Sequence, residues 1–218
     1  MILFNWKANG TKELIEEVNN LNVQNTTVGI FPPFHLLQSI NKEKYAVGAQ
    51  NVSQYSNGAY TGEITAQMLK ESGVRYCLVG HSERRHYMGE ANEIIAKKVN
   101  QLLQKEITPV LCVGETSLDR ASNSYYEVLK NQLAVYQEGC VIAYEPVWAI
   151  GTGNTPSNNE INTVCDWLKQ EHRGAKVLYG GSVSAKNIEE LSTVKIDGVL
   201  VGGASLKPQE VLEITKYF

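Results

Sequence analysis

Eight short runs of apolar and β-branched residues punctuate the chain, at Ile2–Phe4, Val28–Phe31, Ala46–Ala49, Tyr76–Val79, Val110–Val113, Val141–Tyr144, Lys176–Tyr179 and Gly198–Val201. Runs this short read as strands, and being apolar at nearly every position they predict a sheet covered on both faces, hence parallel strands. Between most of them lie stretches whose apolar residues return at three and four, namely Lys12–Leu21, Asn92–Gln104, Tyr125–Tyr136, Glu160–Gln170 and Glu210–Tyr217, the period of an amphipathic helix. The alternation runs end to end without a linker. It predicts one α/β domain over residues 1–218, a closed (β/α)8 barrel. The 218 residues sit at the short end for that fold, so loops and outer helices must be trimmed. An open doubly wound sheet is the alternative, but its G-x-G-x-x-G after the first strand is missing, since Asn5 to Gly10 offers one glycine.

Composition narrows the function. With 43% hydrophobic and 20% charged residues the chain can build a core, which excludes disorder and coiled coil. The 20 Lys+Arg against 23 Asp+Glu include no charge run, so no nucleic-acid or membrane-surface partner is expected. Met1–Phe4 is too short for a signal-peptide core, and no run of about 18 apolar residues occurs, so a cytoplasmic location is expected. Cys77, Cys112, Cys140 and Cys165 are widely spaced and mostly in apolar runs, which predicts free thiols rather than disulfides or a zinc site.

In such a barrel the carboxyl ends of the strands carry the site. After the first strand, Asn5 and Lys7 share one side by strand alternation while Trp6 points away. After the fourth comes Gly80-His81-Ser82-Glu83-Arg84-Arg85-His86, where a helix start leaves His81 neutral and able to donate. His81 and His86 stand five apart, wrong for two metal ligands on one helical face, so no metal is expected. Glu83, Arg84 and Arg85 read as an ion-pair cluster fixing the loop. The sixth strand ends at Glu145, followed by Pro146-Val147-Trp148-Ala149-Ile150-Gly151-Thr152-Gly153; a carboxylate under an apolar lid has a raised pKa, suited to a general base. Gly180-Gly181-Ser182 and Gly202-Gly203-Ala204-Ser205 follow the seventh and eighth strands, where positive-φ glycines would aim backbone N–H groups at a phosphate. The polar loop Gln50–Tyr60 is long for its place and is expected to reach a second subunit.

Together these segments, with Gly58-Ala59-Tyr60-Thr61-Gly62-Glu63-Ile64, Ala143-Tyr144-Glu145-Pro146 and Tyr179-Gly180-Gly181-Ser182-Val183, closely resemble the triosephosphate isomerase family over almost the whole chain. The resemblance implies a TIM barrel that interconverts D-glyceraldehyde 3-phosphate and dihydroxyacetone phosphate through an enediolate, in glycolysis and gluconeogenesis. A glutamate base and a neutral histidine are that family's established pattern and come with the resemblance. It makes Glu145 the base, His81 the electrophile and proton shuttle, Lys7 the stabilising cation and Glu83 the supporting carboxylate. Asn5 then orients the substrate, and Gly151, Ser182, Gly202 and Gly203 hold the phosphate. No cofactor is implied. The partner is a phosphorylated three-carbon sugar, and the loop Gln50–Ile64 implies a homodimer, with a tetramer as the larger option. The chain departs from the commoner pattern in a cut-down first helix, Thr11–Leu21, and in the stretch Glu115–Gln132. Two other readings are open to test: a different phosphosugar barrel enzyme, such as an aldolase using Lys7 as a Schiff-base nucleophile, and a non-catalytic phosphate-binding barrel.

Overall fold

The computed structural model describes residues 1–23, 27–150 and 155–218. Eight strands, β1 (Ile2–Asn5), β2 (Val28–Phe31), β3 (Ala46–Ala49), β4 (Tyr76–Val79), β5 (Thr108–Val113), β6 (Val141–Tyr144), β7 (Val177–Tyr179) and β8 (Gly198–Val201), form a closed barrel in chain order. Every pair is parallel, and β8 closes on β1 with Ile2 against Val199 and Phe4 against Val201. The outer layer holds α1 (Lys12–Asn20), α2 (Ala66–Glu71), α3 (Ser82–Tyr87), α4 (Asn92–Leu103), α5 (Ser117–Ala121), α6 (Tyr125–Leu133), α7 (Asn158–Glu171), α8 (Ile188–Leu191) and α9 (Pro208–Ile214). The trimming is sharpest between β2 and β3, where 3-10 turns over Phe34–Ser39 stand in for a helix, and at α8, a single turn.

Two nested cores follow from strand alternation. Leu3, Phe31, Leu78, Cys112, Ala143 and Leu178 point into the barrel. Their neighbours Ile2, Phe4, Val79, Ile142, Tyr144 and Val199 point outward and pack under the helices. Helix α7 shows why the outer shell forms where it does. Ser157 caps it by accepting from the N–H of Glu160, whose carboxylate bonds back to Ser157, and Ile161, Val164, Cys165 and Leu168 then make one buried stripe. The inner core is equally specific. A Cβ at Gly48 would lie 2.4 Å from the ring of Phe31, so a large plug on β2 requires an empty inward position on β3. Gly198 has φ +150, and a Cβ there would fall 1.7 Å from the carbonyl oxygen of Met1, so the seam between β8 and β1 admits only glycine.

All four cysteines are buried free thiols, and burial raises the pKa of each, Cys165 to about 12. A thiol with a raised pKa stays protonated and unreactive. The native protein at pH 8 is therefore expected to leave a thiol reagent such as Ellman's uncoloured, and to release four equivalents per chain once unfolded. A fast-reacting thiol in the native state would contradict the packing described.

Candidate active site

The inward-facing positions continue one step past the carboxyl ends of the strands. On β6 the set Val141, Ala143 leads to Glu145; on β1, Leu3 leads to Asn5; on β5, β7 and β8 the next inward residues are Gly114, Gly180 and Gly202. Glu145 and Asn5 are almost fully buried there. The glycines make the room. A Cβ at Gly114 would sit 1.7 Å from the carbonyl oxygen of Glu145, and one at Gly180 would sit 2.8 Å from its Cγ. Above this layer opens a cleft of about 640 Å3 whose lining includes Asn5, Lys7, His81, Glu145, Ser182, Gly202 and Gly203. Five strands thus bring the predicted residues to one place, while Gly151 lies outside the described residues.

Lys7 reaches the cleft by a route that alternation did not foresee. It is not an extended residue; its φ of +54 is left-handed, and the turn is held on both sides of the residue. Its N–H donates to Asn5 Oδ1 at 3.0 Å, while Gln50 Nε2 donates at 2.8 Å to the carbonyls of both Lys7 and Phe31. Trp6 points away and is buried, as expected. The ammonium of Lys7 donates to Glu83 Oε1 at 2.5 Å. A cation engaged in this way lacks the lone pair a Schiff base requires.

Gly80, with φ +68, turns the chain so that His81 becomes the N-cap of α3. His81 Nδ1 accepts from the N–H of Glu83 at 3.2 Å, which leaves the ring proton of the neutral imidazole on Nε2. Nε2 lies 3.3 Å from Glu145 Oε1. Oε2 of the same carboxylate has no hydrogen-bond partner among the described residues. The ion-pair cluster expected of Glu83 with Arg84 and Arg85 is arranged differently: Glu83 serves Lys7, Arg84 pairs with the buried Glu90, and Arg85 donates to the carbonyl of Gly80 and to Asn92. Both arginines brace α3 from outside the cleft.

The glycine pairs also differ from expectation, because none of the four has positive φ. Space is their reason. A Cβ at Gly181 would lie 2.2 Å from the Tyr179 hydroxyl, whereas Gly202 and Gly203 leave their backbone open on the cleft, with nothing within 4 Å of a Cβ at Gly203. Gly202 caps the 3-10 turn Gly203–Leu206, whose first N–H groups have no partner within the turn, and it lines the same cleft as Ser182. Among the described residues no group of three or more His, Cys, Asp and Glu is placed to hold a metal.

The family model described as triosephosphate isomerase matches residues 1–218. The chain belongs to the triosephosphate isomerase family. The triosephosphate isomerase of Alkaliphilus metalliredigens is 41% identical over 244 residues, covering 100% of this chain and 98% of the relative. That of Marinobacter nauticus is 42% identical over 240 residues, covering 98% and 95%.

Triosephosphate isomerase motifs did not disclose one important residue. Glu115, at the head of the stretch that departs from the family pattern, is fully buried. Its Oε1 accepts from the Tyr144 hydroxyl at 3.0 Å and from Trp148 Nε1 at 3.1 Å, with Arg120 at 3.5 Å, and its carbonyl accepts from the N–H of Val147. The residues that follow Glu145 are therefore tied down from beneath by a carboxylate on the neighbouring strand's loop. A pair of aromatic residues with polar tips, Tyr144 and Trp148, was the available signal, since such tips need partners when buried. Burial beside Glu115 pushes the Tyr144 hydroxyl pKa far above its ordinary value, so it stays a donor throughout the accessible pH range. Glu115→Ala would leave the buried Tyr144 hydroxyl without its acceptor and is expected to cost about 2–4 kcal/mol in urea unfolding. A loss below about 0.5 kcal/mol, the level of an ordinary surface substitution, would show that the anchor carries no stability.

Proposed function

We propose that Glu145 moves the proton as this isomerase interconverts D-glyceraldehyde 3-phosphate and dihydroxyacetone phosphate. The observation that carries the reading is the pairing of a buried carboxylate, one oxygen unpartnered among the described residues, with the N–H-bearing nitrogen of His81 3.3 Å from its other oxygen. The carboxylate takes a proton from the carbon next to the carbonyl and returns it to the neighbouring carbon, so no net proton is consumed. His81 Nε2–H donates to the oxygen that gains charge and passes protons between the two enediolate oxygens, while Lys7 stabilises that charge. Glu83 supports Lys7 and, through its backbone N–H, fixes the tautomer of His81. Asn5 both orients substrate and holds the turn of Lys7. Ser182, Gly202, Gly203 and Gly151 bind the phosphate. The carboxylate's burial keeps water from competing for the proton it moves.

The reading extends to assembly and place. The chain acts as one domain, in the cytoplasm, as a homodimer formed through the loop Gln50–Ile64, with a tetramer as the larger option. In support, Tyr55 and Tyr60 stack at 4.1 Å between ring centroids while remaining exposed, and Ser53 and Thr65 hold the base of the loop through Ile64 and Asn57. No helix among the described residues is long and apolar enough to cross a membrane.

Glu145→Gln keeps the shape and removes the base, so its kcat in a coupled assay is expected to fall about 10²- to 10⁴-fold at matched folded content. An unchanged kcat would remove Glu145 from the chemistry. For the interface, Tyr60→Glu is expected to shift sedimentation from the dimer toward the monomer, and a variant sedimenting as wild type would direct attention to another face.

A further inference from the structure

The described residues of the cleft extend beyond the groups just assigned, and its outer wall carries two lysines, Lys186 and Lys207. Both are exposed, and neither ammonium has an acidic partner among the described residues. Several other lysines are neutralised locally, as Lys7 is by Glu83, Lys70 by Glu106, Lys98 by Glu90 and Lys195 by Asp166, whereas these two stand unpaired on the wall of the cleft. The loop that carries Lys186 is stapled in place. Asn187 Oδ1 accepts from the N–H of Ser184, and its Nδ2 donates to the carbonyl of Ser182, each at 2.9 Å. Glu210 Oε2 accepts from the N–H of Ala185 at 2.7 Å, tying the loop to the first turn of α9. Lys207 opens that same helix, directly after the turn that begins at Gly203. Glu210 is the single acid beside them on this wall, and one of its oxygens is occupied by the loop.

We propose that Lys186 and Lys207 form a capture rim for doubly charged triose phosphates. They draw the dianion into the cleft and select it over uncharged trioses, without touching the reacting atoms. The inference rests on the isomerase reading above. Two unpaired cations on a concave wall with low-dielectric sides focus the field at its mouth, and such fields raise association rates steeply at low salt while vanishing once screened. The wall bears on the phosphate end because Lys186 follows Ser182 by four residues and Lys207 follows Gly203 by four.

The test compares wild type with Lys186→Gln/Lys207→Gln across ionic strength, using glyceraldehyde 3-phosphate and unphosphorylated glyceraldehyde. At about 10 mM salt the double variant is expected to lose about tenfold in kcat/KM for the phosphorylated substrate, within the range that field focusing supplies. kcat should be unchanged, the two proteins should converge near 1 M salt, and the slow turnover of glyceraldehyde should be equal in both. Equal kcat/KM at low salt would overturn the proposal. So would a loss that persists at high salt, which would make the lysines direct phosphate ligands, or an equal loss with glyceraldehyde, which would make their role structural. A wild type inactive toward both substrates would instead overturn the isomerase reading itself.

Discussion

Closing eight strands into a ring leaves each strand's next inward position crowded against its neighbours, and the site depends on how that crowding is relieved. At mid-barrel the inner space is filled: Phe31 takes the volume vacated by Gly48, and Leu3, Leu78 and Leu178 complete the plug. One step higher, Gly114 and Gly180 make room for Glu145, one against its carbonyl and the other against its Cγ, while Gly202 lies beside Lys7. The carboxylate is buried because the barrel surrounds it, and it is accommodated because its neighbours have no side chains. A charged group seldom sits in such a place without a partner. Here the N–H edge of His81 lies 3.3 Å from one carboxylate oxygen, and the other has no hydrogen-bond partner among the described residues.

The electrostatics are layered around that carboxylate. His81 is locked as a donor by a backbone N–H, Lys7 is poised by one carboxylate oxygen of Glu83, and both constraints arise in the first turn of α3. Arg84 and Arg85 brace that turn through Glu90, Gly80 and Asn92, so the short helix is held by side chains rather than by its own length. After the neighbouring strand β5, Glu115 does the corresponding work for the segment after Glu145. The two supports are independent, one cationic and one anionic, and neither lines the cleft at the phosphate end.

How much of this was legible in the sequence depended on whether a residue's role is local. The strands could be read because burial on both faces leaves apolar runs with no alternation, and their boundaries shifted where Lys176 is exposed, where Thr108 extends β5 and where Asn5 extends β1. Helices α4, α6, α7 and α9 could be read from their period, whereas α2, α5 and α8 are too short to show one. Asn5, Lys7, His81 and Glu145 could be placed at strand ends, and they do meet. The left-handed turn at Lys7 was not visible, because its cause is Gln50, a residue 43 positions away. Glu115 was missed for the same reason. A lone glutamate after a strand reads as solvated unless Tyr144 and Trp148 are already known to lie above it.

The seam between β1 and β8 has a consequence for how the molecule comes into being. Ile2 pairs with Val199, so the first strand to leave the ribosome waits for the last before its second edge is satisfied. Until then the growing sheet carries two open edges, and the plug of inward side chains has one wall missing. Joining ends this far apart in the chain incurs a large loop-closure entropy, which makes ring closure a late and slow event in folding. Gly198, which lets the two backbones meet, thus sits at the step where a newly made chain either becomes a barrel or remains an open sheet able to pair with another copy.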